Sequence, residues 1–567
     1  MQFKSLEDFV IQQLELLNLE RDAEIAESRK LQETFSAKQL QERGVCILNL
    51  VVHGMRSGLY GRTIITFGSK LVGKELPSSN MSSGDIVGIF SNSSASQLEK
   101  DQICSGIISC VKSNTIEIAL DSDCENIDLN DNECYKLLQL ANSVTYRRLK
   151  MGLNSLKNYQ GPAATLMNTL FGEQVFSSAN ISLPPVLLGY NNDLVWFNKN
   201  LDHSQKEAVE FALKQRELAV VHGPPGTGKT TTVVEIILQT VKAGNRVLAC
   251  APSNVAVDNI LEKLVSNSSV KAIRLGHPTR MQEAVQNRSL DAVLSNSEAR
   301  SIVNDVRRDL DAQLKQIPKT KKRGPIFNEI KNLRKELRER ETKAVKEVLS
   351  HANVILTTLT SATQEGPLKH LLPDHFDYVV IDECSQATES ACWLALTRAP
   401  RVLLAGDHFQ LPPTIISPEA ARRGLGLTLM ERIIQRKEDG KSCVRMLTTQ
   451  YRMHRDIMQW ASDQLYHGKL EAHSSVASHL LMELPGVEDN EDTGIPLLLL
   501  DTAGCDFHES ATSEEGSKAN SGEAALVFLH VQRLVESGLP ARDIAIVTPY
   551  NLQVWTMSYT HIIFDSI

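Results

Sequence analysis

Three scarcities in this 567-residue chain each remove a class of protein. No uninterrupted apolar stretch approaches the roughly 18–20 residues that span a bilayer, and residues 1–29 carry Lys4, Glu7, Asp8, Glu15, Glu20 and Arg21 where a signal peptide needs an apolar run. A soluble, non-secreted protein is expected. The ten cysteines include no Cys-x-x-Cys pair, so zinc ribbons and redox dithiols lack support and reduced thiols of nucleus or cytoplasm are expected. Glycine (31) and proline (20) are too few for a collagen-like or low-complexity chain. What is present is globular in character, 42% hydrophobic and 23% charged, and at this length about 3 to 4 folding units are expected. A net charge of −8 argues against nonspecific wrapping of nucleic acid and leaves the decision to local positive patches.

The texture changes along the chain. Leu6, Val10, Leu14 and Leu17 recur at helical spacing among Glu and Arg, which predicts an amphipathic helix in an N-terminal helical stalk over 1–43. Residues 44–132 turn to short β-rich runs separated by Gly, Ser and Asn, the spacing of a small antiparallel barrel. Helical pattern resumes over 133–170 as a second piece of stalk. From Leu218 the rhythm is strand, Gly loop, helix, strand, helix, that of a parallel α/β sheet, and it occupies 171–275 and 351–440. Between them, 276–350 reads as a basic helical insertion. Lys315–Val348 alone holds twelve Lys or Arg against five Asp or Glu, which suits either a solvated helix face or a nucleic-acid contact. The run Lys319, Lys321, Lys322, Arg323 is also a short nuclear-import pattern. Strands are expected at 353–356, 378–381 and 402–404, then at 497–500 and 544–547. They imply two sheets divided near Lys441, with 441–567 as the second. Residues 503–522, rich in Ser, Glu and Gly, read as a mobile loop.

Two strings carry the chemistry. Gly223-Pro224-Pro225-Gly226-Thr227-Gly228-Lys229-Thr230 fits the pattern of a phosphate-binding loop, follows an apolar run and leads through Thr231 into a predicted helix. Its glycines let backbone N–H groups close around phosphates, Lys229 places a point charge on the β and γ oxygens, and the Thr230 hydroxyl is suited to Mg2+. Phe376–Glu383 is a buried-strand run ending in two acids, so Asp382 is expected to hold the metal and Glu383 to polarise the attacking water. The guanine-specific Asn-Lys-x-Asp box has no counterpart. The nearest string, residues 198–202, is wrongly spaced and precedes the loop, so ATP is expected rather than GTP.

Three further strings narrow the class: Ala251-Pro252-Ser253-Asn254 through Asp258, Gly406-Asp407-His408-Phe409-Gln410 through Pro412, and Gln450-Tyr451-Arg452-Met453-His454. Together with Asp382–Ala387 they resemble the ordered motifs of superfamily 1B helicases of the nonsense-decay type. The string Leu76–Asp85 is similar to the barrel of the immunoglobulin mu DNA-binding branch. The Cys/His-rich zinc domain of the nonsense-decay helicase has no counterpart here. This resemblance implies an α/β fold of two RecA-like P-loop lobes, the first bearing an inserted β-barrel and a helical insertion, with ATP in the cleft. It also implies 5′-to-3′ movement on single-stranded DNA or RNA. By the same resemblance Gln205 matches the adenine-reading Gln, Gln410 the γ-phosphate sensor, Tyr451 the base-stacking aromatic and Arg452 an arginine finger. Pro252, Ser253, Asn254, Thr357, Thr358 and Thr548 fall at strand-contacting motif positions.

After Ile546–Val554 the family continues to a Gln-Gly-x-Glu segment and an Arg-rich final motif, whereas this chain runs Trp555–Ile567 and stops. The resemblance therefore implies a truncated product with an incomplete second lobe, and loss of one phosphate-stabilising Arg costs on the order of 10³–10⁵ in related hydrolases. The competing expectation is an ATP- and nucleic-acid-binding scaffold of weak or no activity. A monomer in nucleus or cytoplasm, with no membrane association and with ribonucleoprotein or ribosome association as an analogy, completes the expectations.

Overall fold

The computed structural model describes residues 5–58, 62–70, 74–92, 102–120, 133–141, 143–171, 194–266, 270–296, 300–314, 324–436, 442–511 and 517–564. The import-like run 319–323 lies outside the described residues. The chain divides into two compact units, Met1–Gly223 with Lys229–Met446, and Pro224–Gly228 with Leu447–Ile567. No helix among the described residues is long and apolar enough to cross a membrane.

The first unit opens with the helix Leu6–Thr34. Ser5 caps it by accepting the Asp8 N–H, and Glu7 and Asp8 sit in the first turn where the helix dipole favours acids. Of its buried stripe, Phe9, Val10, Leu16 and Leu17 pack with Leu149, Leu153 and Leu156 of the helix Ser143–Leu156 and with Trp393. Six antiparallel strands follow: β1 (Cys46–Ser57), β2 (Thr63–Ser69), β3 (Ile86–Ser91), β4 (Gln102–Val111), β5 (Thr115–Leu120) and β6 (Tyr135–Gln139). They close as a barrel in the order β1-β2-β5-β4-β3-β6 around Ile47, Leu50, Ile65, Phe67, Ile89, Ile108, Ile118 and Leu137. The barrel therefore runs past residue 132, and the helical stretch expected from 133 begins instead with the strand that joins β1 to β3. Five residues carry too little pattern to show a period, so Tyr135–Gln139 could not be told from the start of a helix.

The α/β core is a seven-stranded parallel sheet. Its strands are β7 (Leu218–His222), β8 (Val247–Ala251), β9 (Ala272–Arg274), β10 (Val354–Thr358), β11 (Tyr378–Ile381), β12 (Arg401–Gly406) and β13 (Val444–Met446), in the order β13-β7-β12-β11-β8-β10-β9. β7, β8 and β11 are buried along their whole length, as runs of Val, Leu, Ile and Ala must be when both faces are covered. β13 pairs with β7, so this sheet extends past Lys441 and the division falls after Met446. The insertion includes the helices Arg300–Leu314 and Gly324–Ser350, which share a small core of Val306, Leu310, Ile330 and Leu337.

The second unit holds the parallel pair β14 (Thr449–Gln450) and β15 (Glu471–Ala472) and the helices Arg455–Leu465, Ser521–Glu536 and Asn551–Phe564. The strands expected at 497–500 and 544–547 do not form. Neither run pairs as a strand, and Leu499 is 88% and Val547 91% exposed. A strand exists only where a neighbouring strand takes its N–H and C=O groups; here the Ile544 N–H donates instead to the Ala541 carbonyl at 3.2 Å, closing a turn. The segment expected as a mobile loop contains a short antiparallel pair, Ser510–Ala511 with Lys518–Ala519, ahead of the Asn520 cap of the next helix.

Candidate nucleotide and strand-binding site

β7, β12 and β11 are adjacent in the sheet, so the loops leaving their carboxyl ends emerge side by side, the usual place for a ligand in a parallel sheet. The loop after β7 is Gly223–Gly228, and the helix Lys229–Lys242 starts at its lysine. Gly226 (φ +78°) and Gly228 (φ +70°) take the left-handed conformation that other residues adopt only with strain, which turns successive amides toward one side. The Thr227 hydroxyl donates to the Pro224 carbonyl at 2.7 Å and locks the turn.

Lys229 Nζ donates to Glu383 Oε1 at 2.7 Å and lies 3.9 Å from Asp382 Oδ1. Burial alone would lower its pKa, but Asp382 and Glu383 outweigh that and hold the ammonium above its ordinary value. Thr230 Oγ1 donates to Asp382 Oδ2 at 3.1 Å. Asp382 is fully buried, and burial pushes its carboxyl up despite the neighbouring lysine. Glu383 sits at φ +53°, a strained backbone for a non-glycine residue; its N–H donates to Asp382 Oδ1 at 2.9 Å, and Gln386 Nε2 donates to its Oε2 at 3.3 Å. A hydroxyl and a buried carboxylate, already in contact beside a cation, are the oxygen donors a hard Mg2+ ion takes, so the expected pair Thr230 and Asp382 fits that ion.

The loop after β12 carries Gln410, exposed, whose amide donates to Asp407 Oδ2 at 2.7 Å. Asp407 is buried, takes the Phe409 N–H at 3.2 Å, gives its own N–H to Ser385 Oγ at 3.1 Å, and accepts from His222 Nε2 at 2.9 Å. Asp407 thus ties the ends of β7 and β12 to the segment after Glu383. It stood inside a quoted motif but carried no signal of this role, and His222 carried none at all.

Gln205 is buried, and its Oε1 accepts the Asp202 N–H at 3.1 Å within a capping box at the start of the helix His203–Lys214. The segment before it is held by buried Glu235, which accepts the Phe197 and Asn198 N–H groups, each at 3.0 Å. Thr231 Oγ1 accepts from Lys263 Nζ at 2.8 Å. Pro225 is half-buried.

Of the strand-contact candidates, Pro252 is half-buried and Ser253 is an exposed N-cap that accepts the Ala256 N–H at 3.1 Å. Asn254 Oδ1 accepts from Arg274 Nη2 at 2.7 Å, and Arg274, itself buried, is held by Asp258 at 2.9 Å. Thr358 is half-buried and donates to Ser361 Oγ at 3.1 Å. Thr357 does not present its side chain to a strand. It lies within β10, between β8 and β9, is 0% exposed, and its hydroxyl has no partner. Thr548 belongs to the second unit and is half-buried.

Tyr451 and Arg452 also belong to the second unit, where both are exposed. The Tyr451 ring stacks on His473 at 4.6 Å, and its N–H donates to the Gly226 carbonyl at 2.9 Å. Buried Gln450 shapes this turn: its Oε1 takes the Arg452 and Met453 N–H groups, each at 2.8 Å.

A sequence profile described as an AAA domain matches residues 200–418, a second so described matches 425–561, and one described as the 1B domain of helicase SMUBP-2/HCS1 matches 10–140. The chain is 51% identical to DNA-binding protein SMUBP-2 of Rattus norvegicus over 97% of its own length and 55% of the relative's. It is 36% identical to DNA polymerase alpha-associated DNA helicase A of Schizosaccharomyces pombe, over 97% of this chain and 83% of that one. To the regulator of nonsense transcripts 1 homolog of Drosophila melanogaster it is 32% identical, over 62% and 28% respectively. The chain spans about half the length of the rodent relatives it matches.

Proposed function

The chain belongs to the SMUBP-2/HCS1 helicases of superfamily 1B, and from that membership, with Lys229, Thr230, Asp382 and Glu383 gathered at one end of a parallel sheet, we propose that it hydrolyses ATP to move 5′ to 3′ along single-stranded DNA or RNA. The observation that carries this is the contact between Lys229 and Glu383.

In the arrangement described, Glu383 spends one carboxylate oxygen on Lys229 and the other on Gln386. Both of its oxygens are thus already engaged by neighbours. Arrival of phosphate oxygens gives Lys229 a competing anionic partner and frees Glu383 to orient and polarise water. Thr230 and Asp382 would hold Mg2+, which would supply charge neutralisation on the phosphates. By the family's motif positions alone, Gln410, tied to Asp407, takes the role of γ-phosphate sensor, Gln205 that of adenine reader, Tyr451 that of base-stacking aromatic and Arg452 that of arginine finger.

Strand contact is assigned to Pro252, Ser253, Asn254, Thr358 and Thr548, with the barrel and the basic insertion as added grip. A backbone-tracking, base-stacking contact does not choose between DNA and RNA. By analogy with the family alone, the reading extends to a monomer of nucleus or cytoplasm that associates with ribonucleoprotein or ribosomal assemblies.

A second reading is favoured by the unpaired runs 497–500 and 544–547. A motor needs a firm second lobe, and one whose described strands form only two-residue pairs would leave a binder of ATP and nucleic acid. Phosphate release with and without a single-stranded oligonucleotide separates the two: strand-stimulated turnover supports the motor, and nucleotide binding without it supports the scaffold.

A further inference from the structure

β12 pairs with β7 so that Gly406 stands opposite His222. The two residues that follow, Asp407 and His408, therefore emerge beside the last residue of β7. Among the described residues, these three form a group in which one ligand atom from each lies within 4.8 Å of the others. Their disposition is already close to that of a chelate: His222 Nε2 and Asp407 Oδ1 are 2.9 Å apart, and the two imidazole rings are 4.9 Å apart, centroid to centroid. His222 and Asp407 are buried, and His408 is half-buried with its ring 4.0 Å from that of Phe409. The Nδ1 atom of His408 is screened from solvent and has no hydrogen-bond partner. A buried ring nitrogen left unpaired is costly and calls for a ligand.

We propose that His222, Asp407 and His408 bind one Zn2+ ion at the base of the phosphate loop. Two imidazole nitrogens and one carboxylate oxygen are a zinc donor set with a fourth position left for water, whereas Mg2+ and Ca2+ take oxygen alone. The site is separate from the Thr230 and Asp382 oxygens that suit Mg2+. An ion there clamps the end of β7, where the phosphate loop begins, to the loop that carries Gln410, since Asp407 holds Gln410 through its other oxygen. The competing account is a hydrogen-bonded His–Asp pair beside a stacked His ring, and it predicts no metal binding.

The test is titration of the full chain, free of nucleotide and chelator, with Co2+ as a spectroscopic stand-in. The expected result is a visible d–d absorption that saturates at one equivalent, is abolished by one equivalent of Zn2+ and survives excess Mg2+. His408→Phe keeps a ring between His222 and Phe409 but removes both nitrogens. It should weaken Co2+ by more than the roughly 10–100-fold that loss of a supporting partner costs. His408→Gln should do the same, and serves if the phenylalanine variant does not fold. Zn2+ should raise the Tm of the parent chain and not of either variant. Absence of the band, a thiolate-to-cobalt charge-transfer band from cysteine, or equal affinity in the folded variants would overturn the proposal.

Discussion

In the first unit, Leu218–His222, Val247–Ala251 and Tyr378–Ile381 are buried from end to end, whereas in the second, Leu497–Leu500 and 545–547 stand in solvent, with Ile544 half-buried, although they are no less apolar. Composition does not separate the two sets. The first set has parallel neighbours on both sides and helices over both faces; the second has no paired strand among the described residues. An apolar run becomes a strand when its backbone groups are taken up by a neighbour, so hydrophobicity marks a candidate and pairing decides it.

That contrast is open to attack from several sides. The largest effect is expected at the site: Lys229→Ala should lower ATP turnover by roughly 10²–10³, the scale of one phosphate-stabilising donor. Leu499→Lys should leave turnover as it was, and a comparable loss from Leu499→Lys would mean that the exposed run is part of the working site. Next is the buried pair of the first unit. Arg432 Nη2 meets Glu389 Oε1 at 2.6 Å and Nε meets Oε2 at 2.9 Å, with the Trp393 indole N–H on Glu389 at 3.1 Å. Glu389→Ala strands the guanidinium and should cost about 3–5 kcal/mol in denaturant unfolding of the first unit.

Removing apolar bulk sharpens the comparison further. Ile355→Ala, in the covered β10, should cost about 2–5 kcal/mol, while Val547→Ala should stay within about 0.5 kcal/mol. Equal costs in a pair of unfolding curves would show that Val547 is packed after all. Hydrogen exchange should divide the same way, with amides of 497–500 and 545–547 exchanging near the free rate and those of β7, β8 and β11 protected to the limit of global unfolding. The smallest effect concerns pH. Burial, reinforced by Arg246, holds the His375 imidazole of the first unit below its ordinary value. The unfolded chain therefore takes up this proton first as pH falls below about 6.5, and the first unit loses stability there. His375→Gln should flatten that part of the Tm-against-pH curve, and an unchanged slope would remove His375 as its source.

How much was legible follows the same logic. The motif loops were readable because each sits directly after an apolar run, and Lys229, Thr230, Asp382 and Glu383 do converge. β6 and β13 were missed because five and three residues carry no period, and their place is set by partners distant in sequence. Thr357 was misread because motif position says nothing of which face a strand residue takes. Glu235, Asp407, Gln450 and Arg274 hold the site together through contacts that only the fold creates.

The central claim is that the Lys229, Thr230, Asp382 and Glu383 cluster of the first unit is a working hydrolase coupled to a nucleic-acid strand. Its most direct test is steady-state ATP hydrolysis by the chain and by Glu383→Gln, each with and without a single-stranded oligonucleotide. The account predicts strand-stimulated turnover that falls by about 10²–10⁴ in Glu383→Gln, the range for loss of a positioned base, with nucleotide binding retained. Turnover that is indifferent to the strand, or unchanged by Glu383→Gln, would contradict it.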